Sequence, residues 1–296
     1  MTKTIDKEIP KDIKELSNKI KEFPMKIKDN PPSTIKYLKN AIMERSPTGE
    51  RKLNAGLIAK TLLDNWHFVL IGANRDFAIL YTYDPSKGIY VSSVNFIGQL
   101  IYSVEYRTVK NDWKNVIEIL RLEAPLVQSN TDKHLIAVGN GIFDTKTKEL
   151  RPFSPKYIFT SKVKTNYVDS PTNVDINGWN VENWLLSLVD NDAQMVTLLY
   201  QMMNEAINPN YTRKKIGFLV GEGNSGKGTF QQLLVNLLGF ENISTLKIEE
   251  FGGDSHKFRK SMLLGKTCNI GDDISRTPVD TVSDLMSIAT GDPITV

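Results

Sequence analysis

One run of residues constrains this chain more than any other: Val220-Gly221-Glu222-Gly223-Asn224-Ser225-Gly226-Lys227-Gly228-Thr229. The apolar stretch Ile216-Gly217-Phe218-Leu219-Val220 comes before it, and the amphipathic stretch Phe230 to Leu238, closed by Gly239, comes after it. That order reads as strand, glycine loop and helix. Gly221, four intervening residues, Gly226 and Lys227 match the phosphate-binding pattern GxxxxGK[ST]. Glycines let backbone N–H groups turn inward around phosphate oxygens. A helix N-terminus adds unpaired amides and a partial positive charge. Lys227 supplies a mobile point charge for the β and γ phosphates. Residues 221–229 are therefore the candidate cradle for a nucleoside triphosphate.

One residue departs from the pattern. Gly228 follows the lysine, where Ser or Thr normally meets Mg²⁺, and the hydroxyl comes one place later at Thr229. Nucleotide kinases of the adenylate kinase type share this Gly-Lys-Gly-Thr order, so it is a known variant of the motif. If Mg²⁺ is bound, Thr229 or water is expected where Gly228 has no side chain. The metal and the attacking water also need an acidic partner. Leu263-Leu264-Gly265-Lys266-Thr267-Cys268-Asn269-Ile270-Gly271 reads as a strand delivering Asp272-Asp273 to its end. There Asp272 would hold the metal and Asp273 would polarise water. The strand is less apolar than usual, with Thr267, Asn269 and Gly271 in it.

The chain has 296 residues, enough for two domains with separate cores. Its net charge of +3 neither demands nor excludes a nucleic-acid partner. The single cysteine, Cys268, excludes an internal disulfide framework and a Cys-rich zinc site, and it fits a reducing cytoplasm. No stretch approaches the roughly 18 apolar residues of a membrane span. His67, His134 and His256 show no metal-ligand spacing, and no Ser-His-Asp arrangement is readable.

Along the chain, residues 1–32 read as a charged helix or arm, with Ile13, Leu16 and Ile20 at helical spacing, broken by Pro31-Pro32. Ser33 or Thr34 should cap a helix through Ile35, Leu38, Ile42 and Met43. Leu53 to Leu63 is a further helix. Trp66–Ile71 and Phe77–Tyr83 read as a hairpin, with a third strand at Ile89–Val91 after the Asp84-Pro85-Ser86-Lys87-Gly88 turn. Helices follow at Val94–Tyr106 and Trp113–Leu122. Leu135–Val138 and the segments around Gly139–Asp144 and Thr147–Leu150 form strands and a hairpin, and Tyr157–Thr160 resumes extended structure. Loop residues 169–173 suggest a domain boundary. The expected division is therefore 1–32 arm, 33–170 α+β domain, 171–212 helical collar (Trp179–Val189 and Gln194–Ile207) and 213–296 nucleotide domain.

With both halves of the site in hand, the chain resembles the phage and plasmid primase–helicase proteins with a superfamily 3 helicase core. The segments that carry the resemblance are Gly139-Asn140-Gly141-Ile142-Phe143-Asp144, Glu149-Leu150-Arg151-Pro152-Phe153-Ser154-Pro155, the phosphate loop, Leu264-Gly265-Lys266 with Asp272-Asp273, and Ala289-Thr290-Gly291-Asp292-Pro293-Ile294. The resemblance implies an α/β P-loop NTPase core of the AAA+-like kind, incomplete at its C-terminal end, behind a smaller α+β region. It implies ATP and Mg²⁺ as cofactors, DNA as partner, a homo-oligomeric ring in the full-length protein and no membrane. By the same carry-over, Lys227 contacts phosphates, Asp272 and Asp273 form the Walker B pair, and Gly291-Asp292 lies near the DNA channel. Met286 stands where the family often has lysine. The family's later hairpin, sensor and arginine finger are not among these residues, so this chain alone is not expected to unwind DNA.

Two other readings compete. Gly-Lys-Gly-Thr by itself suits a nucleotide kinase, but only Arg259 and Arg276 could supply its lid. A non-enzymatic module binding DNA or a partner through residues 1–150, with a degenerate ATP site, is the other.

Overall fold

The structure, a computed structural model, describes residues 43–45, 51–172, 174–208, 214–252, 254–274 and 283–292. The expected arm at 1–32 and the helix start at Ser33 or Thr34 lie outside these residues. The chain divides into two compact units, Met1–Ser129 and Asn130–Val296.

In the first unit, β1 (Met43–Arg45) pairs antiparallel with β2 (Arg51–Leu53). Met43 is thus in a strand, where periodicity suggested a helix: cross-strand pairing with Leu53 overrides a weak local pattern. Helix α1 (Ala55–Asn65) starts where the Asn54 side chain accepts the Leu57 amide at 2.9 Å. Strands β3 (Phe68–Ile71), β4 (Ile79–Asp84) and β5 (Ile89–Val91) form the expected antiparallel run. Two helices follow, α2 (Val94–Val104) and α3 (Lys110–Glu123). Pro125 stops α3, and β6 (Leu126–Val127) then adds parallel to β3, giving the sheet order β5-β4-β3-β6. The helices bury Ile58, Leu62, Ile97, Ile101, Val116 and Leu120 against Phe68, Leu70 and Leu80 of the sheet.

Gly98 of α2 faces the Trp113 ring of α3 so closely that an added Cβ would fall 2.4 Å from a ring carbon. Gly98→Ala should therefore lower thermal stability: overpacking costs about 1–3 kcal/mol, against a helix-propensity gain of about 0.5–1. Trp113→Leu in the same chain should recover part of the loss in a thermal melt.

In the second unit, β7 (Leu135–Val138), β8 (Gly141–Asp144) and β9 (Glu149–Arg151) form an antiparallel sheet in that order. Helices α4 (Val181–Leu188) and α5 (Ala193–Ile207) follow, capped by the Asn180 and Asp192 side chains. Next come α6 (Lys227–Leu238), then β10 (Ile243–Ser244) parallel to β11 (Cys268–Asn269), and α7 (Ser283–Thr290). One core joins Ile136 and Val163 to Leu185, Val196, Leu199, Phe230, Leu234 and Leu238.

That core sets the division of the chain. The residues 130–168 belong with α6, because Ile136 and Val163 pack into the same cluster as Phe230. The 169–173 loop lies inside the second unit, and the helices of the expected collar are core elements of it. Backbone bonds reinforce this. Lys164 N donates to Leu238 O at 3.0 Å, and Thr165 Oγ1 donates to Leu237 O at 2.9 Å. Asn242 Nδ2 reaches both Leu238 O and Lys162 O at 2.6 Å. The last carbonyls of α6 are therefore closed by residues 164 and 165 and by Asn242.

Two extended segments do not become strands. At Tyr157–Thr160 the amide of Phe159 bonds back to Tyr157 O, and Ile158 O accepts the Asn130 amide, so no ladder forms. Ile216–Val220 is in no named strand, and Val220 is 92% exposed. A strand needs a neighbour to pair with, and among the described residues this segment has none. The expected strand at 263–271 shrinks to Cys268–Asn269.

Candidate nucleotide-binding site

The glycine loop enters α6 through two backbone inversions. Asn224 has φ 63° and Gly226 has φ 85°. Asn tolerates this region and glycine occupies it freely. Gly226 is constrained twice, since a Cβ there would also fall 2.4 Å from Leu188 Cδ2 of α4. The first intrahelical bond is Phe230 N to Gly226 O at 3.0 Å. The amides of Lys227, Gly228 and Thr229 precede it, so they are the free first-turn donors of this helix.

Lys227 arches back over the loop. Its Nζ donates to Gly221 O at 2.8 Å, to Glu222 O at 2.8 Å and to Ser225 Oγ at 3.2 Å. The amine is thus held against the loop's own carbonyl and hydroxyl oxygens. Gly221, Glu222, Gly223, Asn224, Ser225, Gly228 and Thr229 are exposed. A side chain at Gly228 would meet nothing within 4 Å, so no packing forces glycine there.

Asp272 and Asp273 come after the end of β11, past Ile270 and Gly271, and are exposed. No hydrogen bond or ion pair joins them to Lys227 among the described residues. A different residue ties the two halves together: Gln231 Nε2 donates to Gly271 O at 3.4 Å. Gln231 lies one turn after Lys227 on the same helix face, so it holds the backbone at Gly271, two residues past β11, beside the start of α6. Sequence reasoning missed it, and helical spacing from the lysine was the available signal. Asn269, odd in a strand by composition, is also explained. Its Oδ1 accepts from Ser244 Oγ and Leu246 N, each at 2.9 Å, and its Nδ2 donates to Leu246 O at 2.9 Å. A two-residue parallel pair is held in register by that side chain. Beside it, burial pushes the Cys268 thiol up to about 11, which keeps it protonated and unreactive at neutral pH.

The remaining candidates have structural explanations. Gly291 has φ 80°, its amide reaches Ile288 O at 3.2 Å, and Asp292 N reaches Ser287 O at 2.8 Å, which is the C-terminal cap of α7. Met286 is exposed on α7. Arg259 pairs with Glu250 rather than standing free as a kinase lid would need, and Arg276 lies outside the described residues. Among the described residues no three His, Cys, Asp or Glu side chains cluster as a metal centre. No helix of the described residues is long and apolar enough to cross a membrane.

Residues 100–208 match the family described as D5 N terminal like, and residues 219–296 match a family of unknown function (DUF5906). No curated protein matches the chain. The first match supports a primase–helicase-like relationship in the coarse sense, and with it a phage or plasmid replication context and a general link to DNA. It covers α3 and β7 through α5, and the second match takes in the loop, α6 and Asp272-Asp273.

Proposed function

We propose that this chain is the ATP-binding and ATP-hydrolysing part of a phage or mobile-element replicative DNA helicase. Its second unit would be an α/β P-loop NTPase core of the AAA+-like kind, incomplete at its C-terminal end, acting on DNA in the host cytoplasm, with the homo-oligomeric ring belonging to the full-length protein. The observation that carries the reading is the loop itself: Gly226 in a left-handed turn, three free amides after it, and Lys227 Nζ bent over the loop carbonyls. Glycine, free amides and lysine together suit a triphosphate better than any neutral ligand. The Gln231–Gly271 bond supports Asp272 and Asp273 as the acidic side of the same site.

The donor set fits Mg²⁺. A threonine hydroxyl and carboxylates are hard oxygen ligands, and Mg²⁺ keeps several waters and takes few protein ligands. Thr229 and Asp272 would hold the ion, which would screen the phosphate charge. Asp273 would orient the attacking water and accept its proton.

Wild-type protein should bind and hydrolyse ATP, and failure to do either sinks this reading. Asp272→Asn should weaken affinity for Mg–ATP by about 10-fold or more, within the range that perturbed metal sites show. The same variant titrated with ATP in EDTA should match wild type. A loss equal in both conditions would mean a folding defect rather than the removal of a metal ligand.

A further inference from the structure

The segment from Lys146 to Val168 carries six Lys or Arg against one Asp or Glu, a net of +5 where the whole chain carries +3. The remaining residues therefore sum to a slight negative charge, so this short stretch is locally basic. The fold ties the β8–β9 turn to the strand and loop that follow it. Asp144 is buried and accepts the Lys146 amide at 2.9 Å and Arg151 Nη2 at 2.6 Å. Arg151 in turn hydrogen-bonds the Tyr157 phenol. Tyr157 closes a turn with Ser154 O at 3.1 Å, which keeps Phe153 and Tyr157 in one short loop.

Aromatic rings are interleaved with the cations. Lys156 Nζ lies 4.8 Å above the Tyr157 ring, and Lys162 Nζ lies 4.8 Å above the Phe153 ring. Both rings are half-buried, and Lys146, Lys148, Lys156 and Lys164 are exposed. The hydrogen bond from Arg151, with the nearby lysine, also holds the Tyr157 phenol below its ordinary range, as a locally positive field would. Arg151 is spoken for by Asp144 and Tyr157 and acts as the frame rather than as a ligand.

We propose that this surface, the β8–β9 turn with the Phe153–Lys164 segment, binds single-stranded nucleic acid. Phosphates would run along Lys146, Lys148, Lys156 and Lys164, and bases would stack on Tyr157 and Phe153. A lysine above an aromatic ring is a weak exposed contact, and base stacking on the same face is stronger. A bound strand therefore displaces each amine from its ring onto a neighbouring phosphate, with gain at both places. The assignment rests on the helicase reading only for the choice of polymer; the ATP loop takes no part in it.

The test is fluorescence anisotropy with a labelled oligo(dT) strand of about 20 nucleotides, a length that covers at least one typical single-strand site. It is run in EDTA without nucleotide, so that failure of the ATP reading does not affect it, and Lys227→Ala should bind the strand like wild type. Lys156→Glu with Lys162→Glu should weaken binding at least 10-fold and flatten the salt dependence, by about 0.7 in slope for each phosphate no longer neutralised. Tyr157→Ala should weaken binding and Tyr157→Phe should restore it. Lys110→Ala with Lys114→Ala, in the first unit, should change nothing. Unchanged thermal melts keep the comparison clean, and milder Lys156→Gln with Lys162→Gln substitutions replace any variant that fails to fold. No binding by the wild type overturns the proposal. So does equal binding by the charge-reversed variant, or equal displacement by polyglutamate with no effect of Tyr157→Ala, which would mark a generic polyanion or acidic-protein surface.

Discussion

Lys227→Ala is expected to weaken the proposed ATP binding by roughly 10- to 150-fold, the equivalent of the about 1.5–3 kcal/mol that hydrogen bonds to a charged group contribute. The amine lies over Gly221 O, Glu222 O and Ser225 Oγ, all belonging to the loop that would wrap the phosphates. Those bonds are exposed, so their removal alone shifts the thermal melt little. Affinity and stability therefore separate. A large loss of nucleotide binding with a nearly unchanged melt is the signature of a phosphate contact. Unaltered affinity would remove the loop from the site. Lys227→Arg sharpens the comparison, since it keeps the charge but replaces a compact ammonium with a planar fork. Partial recovery is expected.

Phe230→Ala destabilises the second unit by about 3–5 kcal/mol, the usual cost of emptying a buried phenyl site. Phe230 is 2% exposed and stands in the core with Ile136, Leu185 and Leu234. It is also the residue whose amide makes the first intrahelical bond, to Gly226 O. The cavity thus opens directly beneath the phosphate loop, and nucleotide affinity should fall together with stability. Hydrogen exchange should show lost protection across residues 130–208 as well as in α6, because β7 shares that core. The core amides of the first unit, around Leu62 and Leu120, should keep theirs. Loss confined to α6 and the loop would mean that β7–β9 are an independent body. Phe230→Leu should cost about 1 kcal/mol and leave binding nearly intact.

Much of the local structure was legible in advance. The hairpin β3–β4, the turn at Asp84–Gly88 and the helix after the glycine loop follow from alternation, Pro-Ser-Lys-Gly chemistry and 3.6-residue spacing. What failed were elements whose conformation depends on a distant partner. Met43 sits in a strand because Leu53 is across from it. Ile216–Val220, apolar enough for a central strand, is unpaired among the described residues, and Tyr157–Thr160 uses its amides locally. Strand pairing is a property of two segments, so one segment's composition cannot settle it.

The candidate site divides the same way. Sequence alone singled out residues 221–229 and Asp272-Asp273 as candidates, because spacing along one chain sets what a loop and its following helix can do. Gln231 as the tie to Gly271, Leu188 as the wall behind Gly226, and Asn269 as the stitch between β10 and β11 were decided only by tertiary structure. So was the placement of residues 130–168 in the phosphate-loop unit. Each depends on which side chains meet across packed elements, and periodicity in a single sequence marks which face is buried but not what it is buried against.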